Sequence, residues 1–290
     1  MVFGAGLWQE PGMITARLLG GLGNQMFQYA TGRALALRLG TDLALDARAT
    51  DAKGGHWLNG LSAWQIRTVP PADLPPDRKG APLRYAIWRA TTRRLLRQQG
   101  HGLDARVLNA PDDTYLHGYF QSEGYFADHA DTIRADLTPS APLPPAAEAI
   151  ADRIRGDATT VSLHVRRGDY LSSGAYGTCD GAYYARALDL IRARVPDLRI
   201  HAFSDDPAWV RDNLSLPVPM EVVELPGAGP EVDMHLMSLC RHHIIANSTF
   251  SWWGAWLNPA QGKIVVAPEV WFRDPALTNA DLIPAGWLRT

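Results

Sequence analysis

Two periods of apolar spacing share this chain: short strand-like runs, and longer stretches in which apolar residues recur at helical intervals. Residues 14 to 19 read as a first strand that runs into a glycine-rich turn, Gly20-Gly-Leu-Gly-Asn24. Met26, Phe27, Ala30, Ala34 and Leu37 then share one face of a helix expected over 25–39. A second short strand is expected at 42–45 and a third at 114–120, with a helix over 123–137. Residues 70–82 are proline-rich and predict a loop. A second proline-rich stretch, 138–145 (TPSAPLPP), is the natural linker. Beyond it the alternation restarts. Strands are expected at 161–165, 199–203, 220–223, 243–246 and 263–267, and helices near 147–155, 181–194, 231–241 and 250–257. Strands that alternate with helices form parallel sheets. The pattern thus predicts an N-terminal α/β domain over 1–140 and a C-terminal Rossmann-like domain over 141–290.

Composition narrows the functional classes. A chain of 290 residues can bury one large core or two modest ones. Its formal net charge of −2 argues against a nucleic-acid partner, which calls for a strong basic excess. Lys53, Lys79 and Lys263 are the only lysines, so the positive charge is almost all guanidinium, the group that meets phosphate oxygens in pairs. Cys179 and Cys240 form no CxxC motif, and adjacent His242 and His243 would point apart, so no structural metal site is expected. The start lacks the charged-then-apolar form of a secretory signal, and no run approaches the roughly 20 apolar residues of a membrane span. A cytoplasmic protein is expected, with residues 1–12 as an extension ahead of Met13. Residues 83–98 predict an amphipathic helix carrying Arg84, Arg89, Arg93, Arg94 and Arg97. Two readings of it stand: a solvated face, or peripheral attachment to an anionic membrane surface where a lipid-linked substrate would be met.

Four segments carry candidate chemistry. In His164-Val-Arg-Arg-Gly-Asp169 an apolar strand ends on two arginines, and parallel sheets bind ligands at strand carboxyl ends. Arg166 or Arg167 would clamp a diphosphate, with Asp169 orienting one of them; the competing reading is a structural ion pair. Asn247-Ser248-Thr249-Phe250 opens a tryptophan-rich helix, where small polar residues serve as caps or as phosphate donors. Of Trp252, Trp253 and Trp256, at least two are expected in the core. The turn at 20–25 lacks true GxGxxG spacing, since position 26 is methionine, so a nicotinamide enzyme is not favoured. Phe203-Ser204-Asp205-Asp206 ends another strand, either to meet a nucleotide edge or to cap a helix at Pro207. It is not a DxD metal motif.

Together these segments resemble the α-1,2-fucosyltransferases of glycosyltransferase family 11. The resemblance rests on GLGNQMFQYATGRALAL (21–37), HGYFQSEGYF (117–126), HVRRGDY (164–170), FSDD (203–206) and NSTFSWWGAWLN (247–258). It implies a GT-B-like fold of two Rossmann-like halves, with the donor site in the C-terminal half. It implies inverting, metal-independent transfer of L-fucose from GDP-fucose to the 2-hydroxyl of a galactose-terminated acceptor, in O-antigen or capsule synthesis. It places Arg166 on the GDP phosphates, Asp233 on guanine and Asn24 near the reacting centre. His164, Arg167, Ser204, Asp205, Asn247, Ser248, Thr249 and Phe250 complete the implied donor site. Asp169 and Glu123 are the candidate bases, neither assigned. The alternatives are a GT-B transferase of another sugar nucleotide and a non-catalytic nucleotide- or glycan-binding protein.

Overall fold

The central strand of the larger sheet shows why the chain folds as it does: all six residues of Thr160–Val165 are buried, as a parallel strand covered on both faces must be. The computed structural model describes residues 12–51, 58, 61, 74–76, 78–91, 94–172, 177–277 and 280–290, except for the side chains of Asp51, Thr91, Asp169 and Ser172. The expected extension up to residue 11, part of the 70–82 loop, Lys53 and Arg93 lie outside the described residues.

The N-terminal half runs β1 (Met13–Arg17), α1 (Leu22–Leu39), β2 (Asp42–Asp46), α2 (Arg48–Asp51), α3 (Pro82–Thr91), β3 (Leu95–Arg97), α4 (Ala105–Leu108), β4 (Tyr115–His117) and α5 (Ala130–Asp136). Its four strands are parallel, in the order β2-β1-β4-β3. The C-terminal half continues with α6 (Pro145–Arg155), β5 (Thr160–Val165), α7 (Gly181–Arg192), β6 (Arg199–Ser204), α8 (Pro207–Asn213), β7 (Met220–Val222), α9 (Pro230–Leu239), β8 (His242–Ile244), α10 (Thr249–Leu257), β9 (Val265–Ala267) and β10 (Leu288–Arg289). Its six strands are also parallel, in the order β10-β9-β8-β5-β6-β7. Strand order reverses beside β5, which makes its carboxyl end a natural crevice. The expected α/β architecture of two Rossmann-like, GT-B-like halves is therefore present. Among the described residues no helix is long and apolar enough to cross a membrane.

Three local expectations need correction. The arginine-rich segment is not one helix over 83–98: α3 ends at Thr91, and 95–97 join the sheet as β3. Leu95 and Leu96 pair with Tyr115 and Leu116 and pack into separate apolar clusters, so strand alternation wins over helix propensity. The segment 123–137 holds two 3₁₀ turns, Glu123–Tyr125 and Ala127–His129, before α5 begins. Only Tyr115–His117 of the expected 114–120 strand is extended; Phe120 turns at φ 54°.

The two halves share one core. Trp252 and Trp253 are fully buried and Trp256 nearly so, in the same cluster as Phe27 of α1 and Phe126. Phe27 lies 4.5 Å from Trp252 and 4.9 Å from Trp253, and Phe126 stacks on Trp253 at 5.4 Å. Each indole N–H finds an acceptor: Trp252 donates to Leu282 O (2.8 Å), Trp253 to Gly23 O (2.9 Å) and Trp256 to Glu123 Oε2 (3.0 Å). Gly23 is small because α10 leaves no room: a Cβ there would lie 2.6 Å from the Thr249 carbonyl carbon. That contact is backbone and cannot swing away. Gly23→Ala should therefore cost about 1–3 kcal/mol in urea denaturation. Gly21→Ser, at the N-cap of α1 with open space around it, should be neutral or mildly stabilising; equal losses in both variants would refute this role for Gly23.

Candidate functional site

Neighbouring strands set two charge pairs against each other. The register of β5 on β6 aligns Val165 with Ser204, so Arg166-Arg167 follow one strand and Asp205-Asp206 the other. Arg166 Nη1 meets Asp205 Oδ2 at 3.1 Å, and its guanidinium stands 5.5 Å from the centre of the Tyr170 ring. Arg167 turns the other way: its Nε donates to Asp206 Oδ2 (3.2 Å), and its guanidinium lies 4.1 Å over Trp209. Asp206 also caps α8 through the Trp209 N–H (3.1 Å). Both arginines are half-buried at the strand end, Arg167 between Asp206 and the Trp209 ring at 4.1 Å, Arg166 between Asp205 and the more distant Tyr170 ring. Asp205 binds the Arg167 N–H as well (2.9 Å), and a Cβ on Gly168 would lie 2.6 Å from its carboxylate. Gly168 is what lets Asp205 close on the arginine turn. Ser204 Oγ accepts the Asp206 N–H (2.9 Å) and tightens the same turn.

The second part of the site is a meeting of helix ends. Ser248 caps α10 by accepting the Phe250 N–H (3.3 Å), and Thr249 and Phe250 form its first turn, against which Gly23 of α1 packs. Two helix N-termini, each a partial positive charge with outward N–H groups, start at one place. Phe250 lies 5.5 Å from the ring of His164, two residues before Arg166, which joins this corner to the end of β5. His164 is buried, its ordinary value is depressed to about 3 by desolvation and then by Arg166, and its Nδ1 has no hydrogen-bond partner among the described residues. Asn24 Oδ1 accepts from Gln121 (2.9 Å), Gln25 binds Gly20 O (2.8 Å), and Gln28 bridges the Leu19 N–H (2.7 Å) and Gly118 O (3.1 Å). The Asn-Gln run thereby ties the chain after β1 to the chain after β4.

The expected residues fall into two groups. Arg166, Asp205, His164, Ser248, Thr249, Phe250 and Asn24 converge around β5, α1 and α10. Arg167 and Asn247 are committed elsewhere: the Asn247 amide donates to Gly177 O (2.7 Å) and Trp271 O (3.1 Å), which pins two loops. Asp233 sits on the first turns of α9, half-buried and with no hydrogen-bond donor among the described residues. Burial, then Glu231, raises it to about 6. The backbone of Asp169 belongs to a 3₁₀ turn over Gly168–Ser172, but its side chain lies outside the described residues. Glu123 is placed away from this corner: its carboxylate accepts the Trp256 indole N–H, about 10 Å along α10 from Thr249. Sequence reasoning missed Asp205 as the partner of Arg166, although matched Arg-Arg and Asp-Asp pairs at the ends of adjacent strands were a signal for it. It had no signal for Gln121 or Trp209. Among the described residues no three His, Cys, Asp or Glu side chains are placed to hold a metal ion.

The buried imidazole gives a test of this corner. His164 is neutral in the folded protein down to about 3 and takes a proton near 6.5 when unfolded. Lowering pH from 6.5 toward 3 therefore favours the unfolded state, by about 1.4 kcal/mol per pH unit for each such histidine. Asp233 acts in the opposite sense: folding favours its neutral form below 3.8, and that advantage is gone as pH rises through about 6. Denaturation of His164→Gln at about pH 7.5 and about pH 5 isolates the histidine, and its pH dependence should be shallower than that of the parent. An unchanged slope would mean that His164 is charged in the fold.

Known proteins match this chain over most of its length. Residues 95–289 match the family described as glycosyl transferase family 11. An Escherichia coli protein described as an alpha-1,2-colitosyltransferase is 33% identical over 291 residues, covering 96% of this chain and 98% of its own. An O-antigen biosynthesis glycosyltransferase WbnK, also from Escherichia coli, is 31% identical, covering 88% of this chain and 93% of its own. A galactoside alpha-(1,2)-fucosyltransferase 1 from Sus scrofa is 30% identical, covering 82% of this chain and 63% of its own.

Proposed function

Since the chain belongs to glycosyltransferase family 11, the family of the α-1,2-fucosyltransferases, we propose that it moves L-fucose from GDP-β-L-fucose to the 2-hydroxyl of a galactoside, with inversion, in the assembly of O-antigen or capsule. One observation carries this reading: Arg166 and two helix N-termini are gathered at the carboxyl end of β5, where an anionic leaving group would need them. Breaking the fucosyl–phosphate bond adds negative charge to the diphosphate while the sugar takes on oxocarbenium character. Arg166, preset by Asp205, stabilises that charge without having to reorganise. The planar fork of a guanidinium suits two phosphate oxygens at once.

In this reading residues 141–290 hold the donor and residues 1–140 the acceptor. Asp233 accepts the N–H groups of guanine, and those bonds favour its charged form, so GDP should pull its value down from about 6. The acceptor hydroxyl attacks from the face opposite the diphosphate and gives up its proton as the new bond forms. Asn24, held by Gln121, orients that hydroxyl, and Asp169 is the remaining candidate base. The acceptor is a galactose-terminated glycan in lipid-linked form, met at the inner face of the membrane. The exposed apolar stripe Leu83 and Ile87 on α3, flanked by exposed Arg84 and Arg89, supports such peripheral contact.

A second donor reading is GDP-colitose, which the match to the alpha-1,2-colitosyltransferase favours. Colitose is fucose without its 3-hydroxyl, so the same phosphate site would serve both. Turnover measured with GDP-fucose, GDP-colitose, GDP-mannose and UDP-galactose on a galactoside panel separates the readings. Transfer of fucose with a 1,2 linkage supports the first, transfer of colitose alone the second. Tight binding of every donor without transfer would leave a binding protein. Arg166→Lys should lower turnover by about 10²–10³, because an ammonium cannot reproduce the fork. Activity should also survive EDTA; loss that Mn²⁺ restores would overturn the arginine-only account of the leaving group.

A further inference from the structure

The N-terminal half has a cluster of cationic side chains of its own, at the carboxyl ends of its strands. All four strands of that sheet end in one row, Asp46–Arg17–His117–Arg97, set by the pairs Arg17↔Asp46 and Arg97↔His117 and by the alignment of Ala16 with Leu116. Those four residues open onto a cavity of about 620 Å³ whose wall also includes Arg48, Arg78, Lys79, Tyr85 and Trp88. Five cationic side chains face a single carboxylate among the described lining residues. That carboxylate is already spent: Asp46 binds Arg48 at 2.9 Å and accepts the Tyr115 hydroxyl at 2.6 Å. Among the described residues no carboxylate pairs with Arg17, Arg78 or Arg97, and Arg17 is half-buried. A half-buried guanidinium without a counter-charge is costly unless an anion completes it.

The cavity's other wall suits carbohydrate. Trp88 of α3 meets Tyr115 edge-on at 6.3 Å and Tyr85 at 6.0 Å, and the Tyr85 hydroxyl accepts from Arg97 (3.1 Å). Aromatic faces beside guanidiniums match a sugar ring that bears a charged oxyanion. The site is also reachable from the proposed reacting centre. The chain after His117 needs only four residues to reach Gln121, the partner of Asn24, a span of at most about 14 Å.

We propose that this cavity is a binding site for an anionic group carried by a saccharide, a carboxylate or a phosphate, held by Arg17 and Arg97 over an aromatic floor. In calling that saccharide the acceptor, the inference rests on the transferase reading above; the anion site itself does not. Such a subsite would select acceptors by a charge set back from the hydroxyl that reacts.

His117 is the reporter. Burial, then Arg17 and Arg97, hold its imidazole down at about 4, with Asp46 opposing them. An anion seated between the two arginines cancels part of their field, so the His117 pKa must rise on binding. The experiment follows the His117 ring by NMR while D-glucuronate, inorganic diphosphate or neutral galactose is added at millimolar concentration. Glucuronate or diphosphate should bind saturably and raise the His117 pKa, and galactose should do neither. Tighter glucuronate identifies an acidic sugar as the source of the charge; tighter diphosphate identifies a phosphate-linked glycan. Arg97→Gln, at an exposed position that leaves the fold intact, should weaken binding about tenfold, and Arg17→Gln by as much or more. Arg166→Gln should leave it unchanged. No perturbation by either anion, or one that persists in Arg17→Gln/Arg97→Gln, overturns the proposal. So does one that vanishes only in Arg166→Gln, which would place the anion at the donor corner. Because this readout needs no turnover, a failed transfer assay and an empty cavity give different results.

Discussion

The contact between α1 and α10 is the constraint on which the molecule depends. Gly23 has no side chain because the first turn of α10 occupies that space, and its carbonyl accepts the Trp253 indole, so steric fit and hydrogen bond specify the same approach. Around it, Phe27, Phe126 and three tryptophans form an aromatic block that belongs to both halves at once. A two-sheet protein would ordinarily be expected to flex between its halves. Here the joint is buried and aromatic, and each of its three indole N–H groups is hydrogen-bonded, so the strand ends it carries are held in a fixed relation.

That joint sets the electrostatics. Bringing two helix N-termini together is unfavourable in the absence of an anion, and the arrangement places the half-buried Arg166 beside them. The two arginines of one motif have been given separate tasks by their surroundings. Arg167, on Trp209 and Asp206, ties the turn to β6 and α8, and Arg166 is presented from that anchored turn. Preorganised positive charge of this kind is what phosphate departure requires.

Both sheets carry cationic side chains at the same edge, the carboxyl ends of their parallel strands. The C-terminal edge carries Arg166, Arg167 and the start of α10, against which the start of α1 packs from the other half. The N-terminal edge spreads it over a cavity walled by Arg17, Arg48, Arg78, Lys79 and Arg97. The aromatic joint brings these edges into one molecule, and the segments after β1 and β4, laced together by Asn24, Gln28 and Gln121, run from one to the other.

Much of this was legible in the chain itself. Apolar periodicity marked β5, β6, α7, α9 and α10 within a few residues, because each is buried on a face that the pattern displays. The arginines, the capping serine and the tryptophan-rich helix stood out because their chemistry is local to one segment. What the chain could not show was pairing across distance. The 95–97 segment looked helical until β4 supplied hydrogen bonds, and the spacing of the glycines at 20–23 had no explanation until α10 arrived against Gly23. The separate settings of Arg166, on Asp205, and Arg167, on Asp206 and Trp209, were likewise made by residues nearly forty positions away. Sequence determined which groups were available and which faces would be buried, since both follow from neighbours along the chain. Tertiary structure alone decided which carboxylate and which ring each arginine met, because that depends on the partner each group meets in space.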